Sequence, residues 1–147
     1  MFKHLFVPVG GSELSHRCMD GSITLAKQLG ARITGFVVEP DLPLSTVSSF
    51  PEMSTARIKA HESANTVHSK ALLDQFEIRA KQAGVEFSGL AVTAYEVDEA
   101  IMVQAENSGC DMIVMITHGC GTIGQFLFGS HTQKIVAKSK LPVFVLH

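Results

Sequence analysis

The sequence predicts one α/β domain over residues 1–147, a doubly wound five-stranded parallel sheet with helices on both faces. Short apolar segments typical of strands alternate with segments whose apolar residues recur at helical spacing. Two of the predicted strands, around Ile113 and Phe144, are almost continuously apolar, which is typical of strands covered by helices on both faces. Repeated strand and helix segments imply right-handed crossovers and a parallel sheet. We expect the strand order 3-2-1-4-5.

The five predicted strands follow the apolar segments directly. Ligands bind such sheets beyond the carboxyl ends of their strands, where the strand order reverses. We therefore expect a ligand site at the loops that follow Val9 and Thr117. The predicted strands are His4–Val9, Ala31–Val38, Val85–Ala94, Asp111–Thr117 and Leu141–His147.

Four helices are predicted between these strands. The first has Ser12 as its N-cap and Gly30 as its stop signal. The second follows an apolar stripe that starts at Ala60, includes Val67 and ends before Gly84. The third covers residues 97–109, with Asp98 favourably placed in its first turn, and the fourth covers residues 130–140. Before the second helix, residues 39–55 are irregular and rich in Pro and Ser. They are interpreted as a surface connection, with a flap beside the ligand crevice as the alternative.

Composition excludes several classes of protein. A formal net charge of −2 argues against a non-specific nucleic-acid or membrane-surface binder. No segment approaches the roughly 20 apolar residues of a membrane span. The three cysteines form no CxxC pair, so neither a disulfide framework nor a metal site is expected, and a reducing, cytoplasmic compartment fits best. Cys18 and Cys110 lie in apolar surroundings and are predicted to be core residues.

A glycine-rich segment between the fourth strand and the fourth helix is the strongest functional signal. It contains Gly119, Gly121, Gly124 and Gly129, and the helix then opens at Ser130. Backbone N–H groups of such a loop, together with the positive end of the helix dipole, can hold an anion. The spacing matches neither the GxGxxG fingerprint nor the GxxxxGK[ST] loop. Ser130 and Gln133 also match a capping box, so phosphate binding and simple helix capping both remain open.

Three stretches, "LFVPVGGSELS", "DMIVMITHGCGTIGQFLFGS" and "LPVFVLH", resemble the universal stress protein family, and the element order agrees over essentially the whole chain. The resemblance implies binding of ATP together with Mg²⁺ at a G-x-x-G motif followed by nine residues and G-S or G-T. Gly119 and Gly129-Ser130 match the later part of that motif. By resemblance, the nucleotide site would comprise Pro8, Val9, Gly10, Val38, Gly119, Gly121, Gly129, Ser130 and His131.

This chain departs from the family pattern at four positions, one of which is Thr122, where a further glycine is common. Ile116 stands at the first glycine of the motif, and Cys120 stands where Arg is common. Gly10 stands where ATP-binding members have an aspartate that engages the ribose. The resemblance therefore leaves two functions open. The chain is either an adenine-nucleotide sensor or carrier that acts in the stress response through protein partners, or an interaction module of the same fold that does not bind ATP.

Neither catalysis nor a metal centre is indicated by the side chains. No nucleophile, base and orienting acid form a recognisable set, and no G-x-S-x-G elbow is present. The resemblance allows at most slow ATP hydrolysis. His118 and His131 flank the glycine-rich segment, where they could either contact a phosphate or only cover the loop. The last strand is an apolar sheet edge, and the family resemblance implies a homodimer through Val143–Leu146.

Overall fold

The computed structural model describes residues 1–10, 14–40, 51–117 and 130–147. Strands and helices alternate in these residues in the predicted order. The strands are β1 His4–Pro8, β2 Arg32–Pro40, β3 Phe87–Ala94, β4 Met112–Ile116 and β5 Val143–Leu146. The helices are α1 Leu14–Leu29, α2 Pro51–Gln82, α3 Val97–Asn107 and α4 Ser130–Lys138.

The strands form one parallel sheet in the order β3-β2-β1-β4-β5, which confirms the predicted fold. Strand β1 pairs with β2 on one side, where Pro8 lies opposite Phe36. On its other side β1 pairs with β4, where Phe6 lies opposite Ile113. The strand order therefore reverses between β1 and β4, and the carboxyl ends of these two strands lie side by side.

Two apolar layers cover the sheet, and alternate residues of β1 divide between them. Leu5 and Val7 belong to the layer that contains residues of α1 and α2, whereas Phe6 belongs to the layer that contains residues of α3 and α4. This alternation follows from the two-residue period of a strand. The helix residues buried in the first layer are Cys18, Met19, Ile23, Ala26, Phe76 and Ala80, and those in the second are Ile101, Ala105 and Ile135.

Helix α2 differs from its predicted course. It begins at Pro51, so the last five residues of the predicted irregular stretch are helical. Proline favours the first turn of a helix because its missing N–H has no partner there in any case. Val67 was expected on the buried stripe, but 68% of its surface is exposed, while Ser69 is buried. Residues 41–50 of the predicted connection lie outside the described residues.

Cys18 and Cys110 are buried, as predicted, and their thiols are unpaired. Burial raises the pKa of the Cys18 thiol to about 12 and that of Cys110 to about 11. Both side chains therefore remain protonated near neutral pH and behave as small apolar core residues. Among the described residues, no helix has both the length and the apolar character needed to cross a bilayer.

Candidate functional site

The candidate site lies at the carboxyl edge of the sheet, where β1 and β4 end next to each other. Val9 and Gly10 follow β1, and Thr117 follows β4. The Thr117 N–H donates to the carbonyl oxygen of Leu146 at 2.9 Å, and its hydroxyl lies 3.2 Å from the same oxygen. These bonds hold the start of the glycine-rich segment against the end of β5. The two loop starts predicted from the sequence therefore meet at the point where the strand order reverses.

Gly10 is exposed, and one serine of α1, Ser15, bonds to both its backbone N–H and its backbone carbonyl. The Gly10 N–H donates to the Ser15 hydroxyl oxygen at 3.2 Å, and the Ser15 hydroxyl in turn donates to the Gly10 carbonyl. Ser15 itself is buried. A Cβ atom at Gly10 would have no heavy atom of the described residues within 4 Å, and the Gly10 backbone lies outside the left-handed region. Within the described part of the chain, nothing obstructs a Cβ atom at position 10.

Val9 and Val38 lie at the same edge, but their side chains pack on opposite faces of the sheet. Val9 belongs to the apolar layer of α1 and α2, and Val38 packs against the layer of α3 and α4. The Val9 N–H donates to the Phe36 carbonyl at 2.8 Å, so this donor is already used within the sheet. Pro8 is the last residue of β1 and is partly buried. These residues can border an adenine pocket, but they do not converge on it with their side chains.

The predicted phosphate-binding residues fall in a stretch that is mostly not described. Gly119, Gly121 and Gly129 lie outside the described residues, as do His118 and Cys120. Helix α4 begins at Ser130, as predicted, although the surroundings of the Ser130 side chain are not described. With nine residues, α4 has a full first turn whose N–H groups lack partners within the helix. An anion can bind such groups.

His131 is brought into contact with a residue that the sequence did not indicate as part of the site. Its Nδ1 bonds to Oδ1 of Asp98 in the first turn of α3. The second carboxylate oxygen of Asp98 pairs with Nζ of Lys134 at 3.2 Å. The Asp98 side chain is only 8% exposed, whereas those of His131 and Lys134 are 57% and 54% exposed. One buried carboxylate therefore joins α3 to the first part of α4.

The electrostatics of this cluster follow from burial and pairing. Burial alone would raise the pKa of the Asp98 carboxyl, because the charged form is harder to solvate there. The hydrogen bonds from His131 and Lys134 outweigh burial and hold the pKa of Asp98 below its ordinary value. Asp98 is therefore ionised near neutral pH. In this state it accepts bonds from both partners on α4.

Local sequence reasoning missed Ser15 and Lys134, and it placed Asp98 on α3 for its effect on the helix dipole alone. A partial signal was present, since His131 and Lys134 are three residues apart and must share one face of α4. Nothing in the sequence shows which carboxylate faces them, because β4 separates α3 from α4 in the chain and the two helices meet only in the folded structure. The long-range partner is visible only in the packed structure.

The whole chain, residues 1–147, matches the model of the family described as "Universal stress protein family". A relative from Thermus aquaticus, named "Universal stress protein in QAH/OAS sulfhydrylase 3'region", is 28% identical over 146 residues. The alignment covers 99% of this chain and 99% of the relative. The similarity therefore extends along the full length of both proteins.

Solved structures show the same fold at low sequence identity. The universal stress protein UspA from Lactobacillus plantarum has a TM-score of 0.79 at 18% identity, over 99% of this chain and 98% of that one. A universal stress protein from Archaeoglobus fulgidus was solved in complex with dAMP; it has a TM-score of 0.66 and 16% identity over 99% and 98% of the two chains. A universal stress protein family protein from Arabidopsis thaliana, solved with AMP bound, has a TM-score of 0.65 and 15% identity. The match covers 98% of this chain and 90% of that one. The strand order, with its reversal between β1 and β4, agrees with the family match along the whole chain. This chain therefore belongs to the universal stress protein family.

Proposed function

We propose that the chain binds an adenine nucleotide at the carboxyl edge of the sheet, as a sensor or carrier that acts in the stress response through protein partners. The observation that carries the proposal is the side-by-side placement of the ends of β1 and β4 at the point where the strand order reverses. Family members from Archaeoglobus fulgidus and Arabidopsis thaliana hold dAMP and AMP. The adenine would lie beside Pro8, Val9 and Val38.

The phosphates of ATP, with Mg²⁺ as the counter-ion, would lie toward the first turn of α4. Ser130 opens that helix, and Gly119 and Gly129 match the family motif in the preceding segment. Unpaired N–H groups and the positive helix end favour a phosphate at this position. Gly121 belongs to the same segment. Different elements would thus bind the two ends of the nucleotide: β1 and β2 would contact the adenine, and the start of α4 would contact the phosphates.

A pair of serine variants, one at each end of α4, tests the phosphate end of this proposal. Ser130→Ala removes a hydroxyl at the start of the helix, and Ser139→Ala removes one just beyond its end, where Ser139 bonds to Leu141. We expect Ser130→Ala to weaken ATP binding about tenfold, in line with the loss of one charge-assisted hydrogen bond. Ser139→Ala should lower the melting temperature without changing ATP affinity. Equal ATP affinities in both variants and the unmodified chain would count against a phosphate at Ser130.

A second candidate function is an interaction module that does not bind ATP. The observation that favours it is Gly10, which offers no carboxylate to a ribose although a Cβ there would meet no atom of the described residues within 4 Å. The two candidates differ in one measurable property. A nucleotide sensor binds ATP at concentrations that exist in a cell, whereas the interaction module shows no saturable binding of ATP.

We propose in addition that two copies of the chain pair through β5. Pro142 and Leu146 accept hydrogen bonds from the β4 side, from Ile113 N and Thr117 N, each at 2.9 Å. Because the N–H and C=O of one strand residue point to the same side, Val143 and Val145 direct theirs toward the open edge. An apolar edge with unpaired backbone groups readily pairs with another chain. Phe144, 40% exposed, adds apolar surface to this edge.

A proline at the outward-facing position tests the dimer. Val145→Pro removes an edge donor without touching the bonds to β4, and edge positions tolerate proline. Val145→Thr is the matched control, because threonine keeps both the branched shape and the N–H. Analytical ultracentrifugation should show a dimer for the unmodified chain and Val145→Thr, and a monomer for Val145→Pro. A Val145→Pro variant that folds and remains a dimer would exclude this edge as the interface.

A further inference from the structure

We propose that Asp98 is a positioning residue of the nucleotide site: its buried carboxylate holds the first turn of α4 at the place where that turn meets phosphate. The inference rests on the proposed function, because it concerns the orientation of the helix end that would bind the nucleotide. It adds a residue from α3, an element that contributes none of the site residues expected from the family resemblance.

The Asp98 carboxylate on α3 bonds to two side chains of α4. Each oxygen of Asp98 takes a different partner on α4, Oδ1 with Nδ1 of His131 and Oδ2 with Nζ of Lys134. The two partners lie one helical turn apart, so the contact fixes the rotation of α4 about its axis as well as its distance from α3. A single ion pair would fix only the distance.

Apolar packing alone does not hold this part of α4. Ile135 is fully buried together with Ile101 and Ala105 of α3, but it lies in the second half of the helix. At the beginning of the helix His131 is exposed, and the described contacts between its side chain and α3 run through Asp98. Thr132 in the same turn is buried, so loss of the carboxylate would loosen the side of the first turn that carries His131, while Thr132 and Ile135 stay packed.

Helix stability does not explain the burial of this carboxylate. An acidic residue in the first turn of α3 is favourable for the helix dipole, but the neighbouring Glu99 is exposed and supplies the same charge at no cost of burial. A buried charge must be paired, and removal of its partners is strongly unfavourable. Among the described residues, the ion-pair partners of the Asp98 carboxylate are His131 and Lys134, both on α4. The buried Asp98 carboxylate therefore stabilises the contact between α3 and α4.

Asp98→Asn and Glu99→Gln form the test pair, since each removes one negative charge from the same helical turn. The affinities for ATP and for adenosine are measured by calorimetry on the full-length chain. Adenosine lacks phosphate, so a displaced α4 affects only ATP. We expect Asp98→Asn to weaken ATP binding about tenfold, the scale of a favourable helix-end charge interaction, and to leave adenosine binding unchanged. Glu99→Gln should leave both affinities unchanged.

Hydrogen exchange of the backbone amides in α4 separates the two proposals. We expect faster exchange in Asp98→Asn at residues 134 and 135, whose N–H groups bond to carbonyls of the first turn, with unchanged exchange at residues 137 and 138 and in Glu99→Gln. If the unmodified chain binds neither ATP nor adenosine, the proposed function fails, and the exchange result alone decides whether Asp98 holds α4. Unchanged exchange in Asp98→Asn, or an equal loss of ATP and adenosine affinity, would overturn the inference. If Asp98→Asn does not fold, Lys134→Met, which removes one exposed partner, should show the same selective effect on ATP in smaller measure.

Discussion

Gly10→Asp should strengthen nucleotide binding, because it adds the carboxylate that by resemblance engages the ribose in ATP-binding family members. The described part of the structure allows the change, since a Cβ at position 10 meets no heavy atom of its residues within 4 Å and the backbone is not left-handed. The Ser15 bonds involve only the backbone of Gly10, so they persist in the variant. We therefore expect the free energy of unfolding to change little.

The size of the gain follows from the new hydrogen bonds. A hydrogen bond to a charged group contributes roughly 1.5–3 kcal/mol, which corresponds to about a tenfold to hundredfold increase in affinity. Calorimetry with ATP on the unmodified chain, Gly10→Asp and Gly10→Ala measures it. Gly10→Ala adds the Cβ without an acceptor and should bind ATP as the unmodified chain does.

A ribose analogue identifies the contact that causes the gain. With 2′,3′-dideoxy-ATP the hydroxyl donors are missing, so Gly10→Asp and Gly10→Ala should bind the analogue equally. An unchanged ATP affinity in Gly10→Asp would refute the placement of the ribose beside Gly10. A gain that persists with the dideoxy analogue would show that the carboxylate acts on some other part of the nucleotide or on the fold.

Three further predictions concern the stability of the sheet and its edge. Burial, with a smaller contribution from the nearby Arg32 cation, lowers the pKa of His4, so the free energy of unfolding should fall as the pH drops below about 6.5. Gly35→Ala should lower the free energy of unfolding by about 1–3 kcal/mol in chemical denaturation, because the new Cβ would lie 2.6 Å from Phe87 Cζ. Gly89→Ala should lower it far less, because a Cβ there would lie 3.4 Å from the nearest atom. Ser15→Ala should cost about 1–2 kcal/mol in the same assay, because the Gly10 backbone loses both of its bonds to this side chain.

The direction of the His4 effect follows from which state takes up the proton. The folded chain holds a buried imidazole, bonded through Nε2 to Thr34 Oγ1 at 2.7 Å, that resists protonation. The unfolded chain binds the proton near the ordinary pKa of 6.5. The stabilisation is thus complete above pH 6.5, declines below it, and levels off once the folded imidazole is protonated too. His4→Gln should flatten the slope of stability between pH 7 and 5, whereas a change at the exposed His68 should not; an unaltered slope in His4→Gln would contradict this assignment.

The sheet could be predicted from the sequence because each strand is a short apolar run, and chirality leaves few topologies for a repeated strand and helix pattern. The second helix was harder to delimit. Its amino-terminal half has no strong apolar stripe, and Val67 proved to be 68% exposed, so periodicity indicated neither where the helix begins nor which face is buried. Pro51 is a local signal for a helix start, but the apolar pattern on which the helix was delimited begins only at Ala60.

The candidate site was predictable only in part, for a related reason. Val9 and Thr117 could be placed at one edge because the strand order follows from topology, and the sheet confirms that placement. The link between Asp98 and His131 joins residues 33 positions apart on two different helices. No spacing rule relates such positions, so this part of the site required the three-dimensional structure.

Nucleotide binding is measured by calorimetric titration of the unmodified chain with ATP and Mg²⁺, after a check that no nucleotide co-purifies. We expect saturable binding of one ATP per chain with a dissociation constant on the order of micromolar, about −8 kcal/mol. The absence of saturable binding up to about millimolar ATP, a limit of roughly −4 kcal/mol, would contradict nucleotide binding and leave the interaction module as the function of this chain.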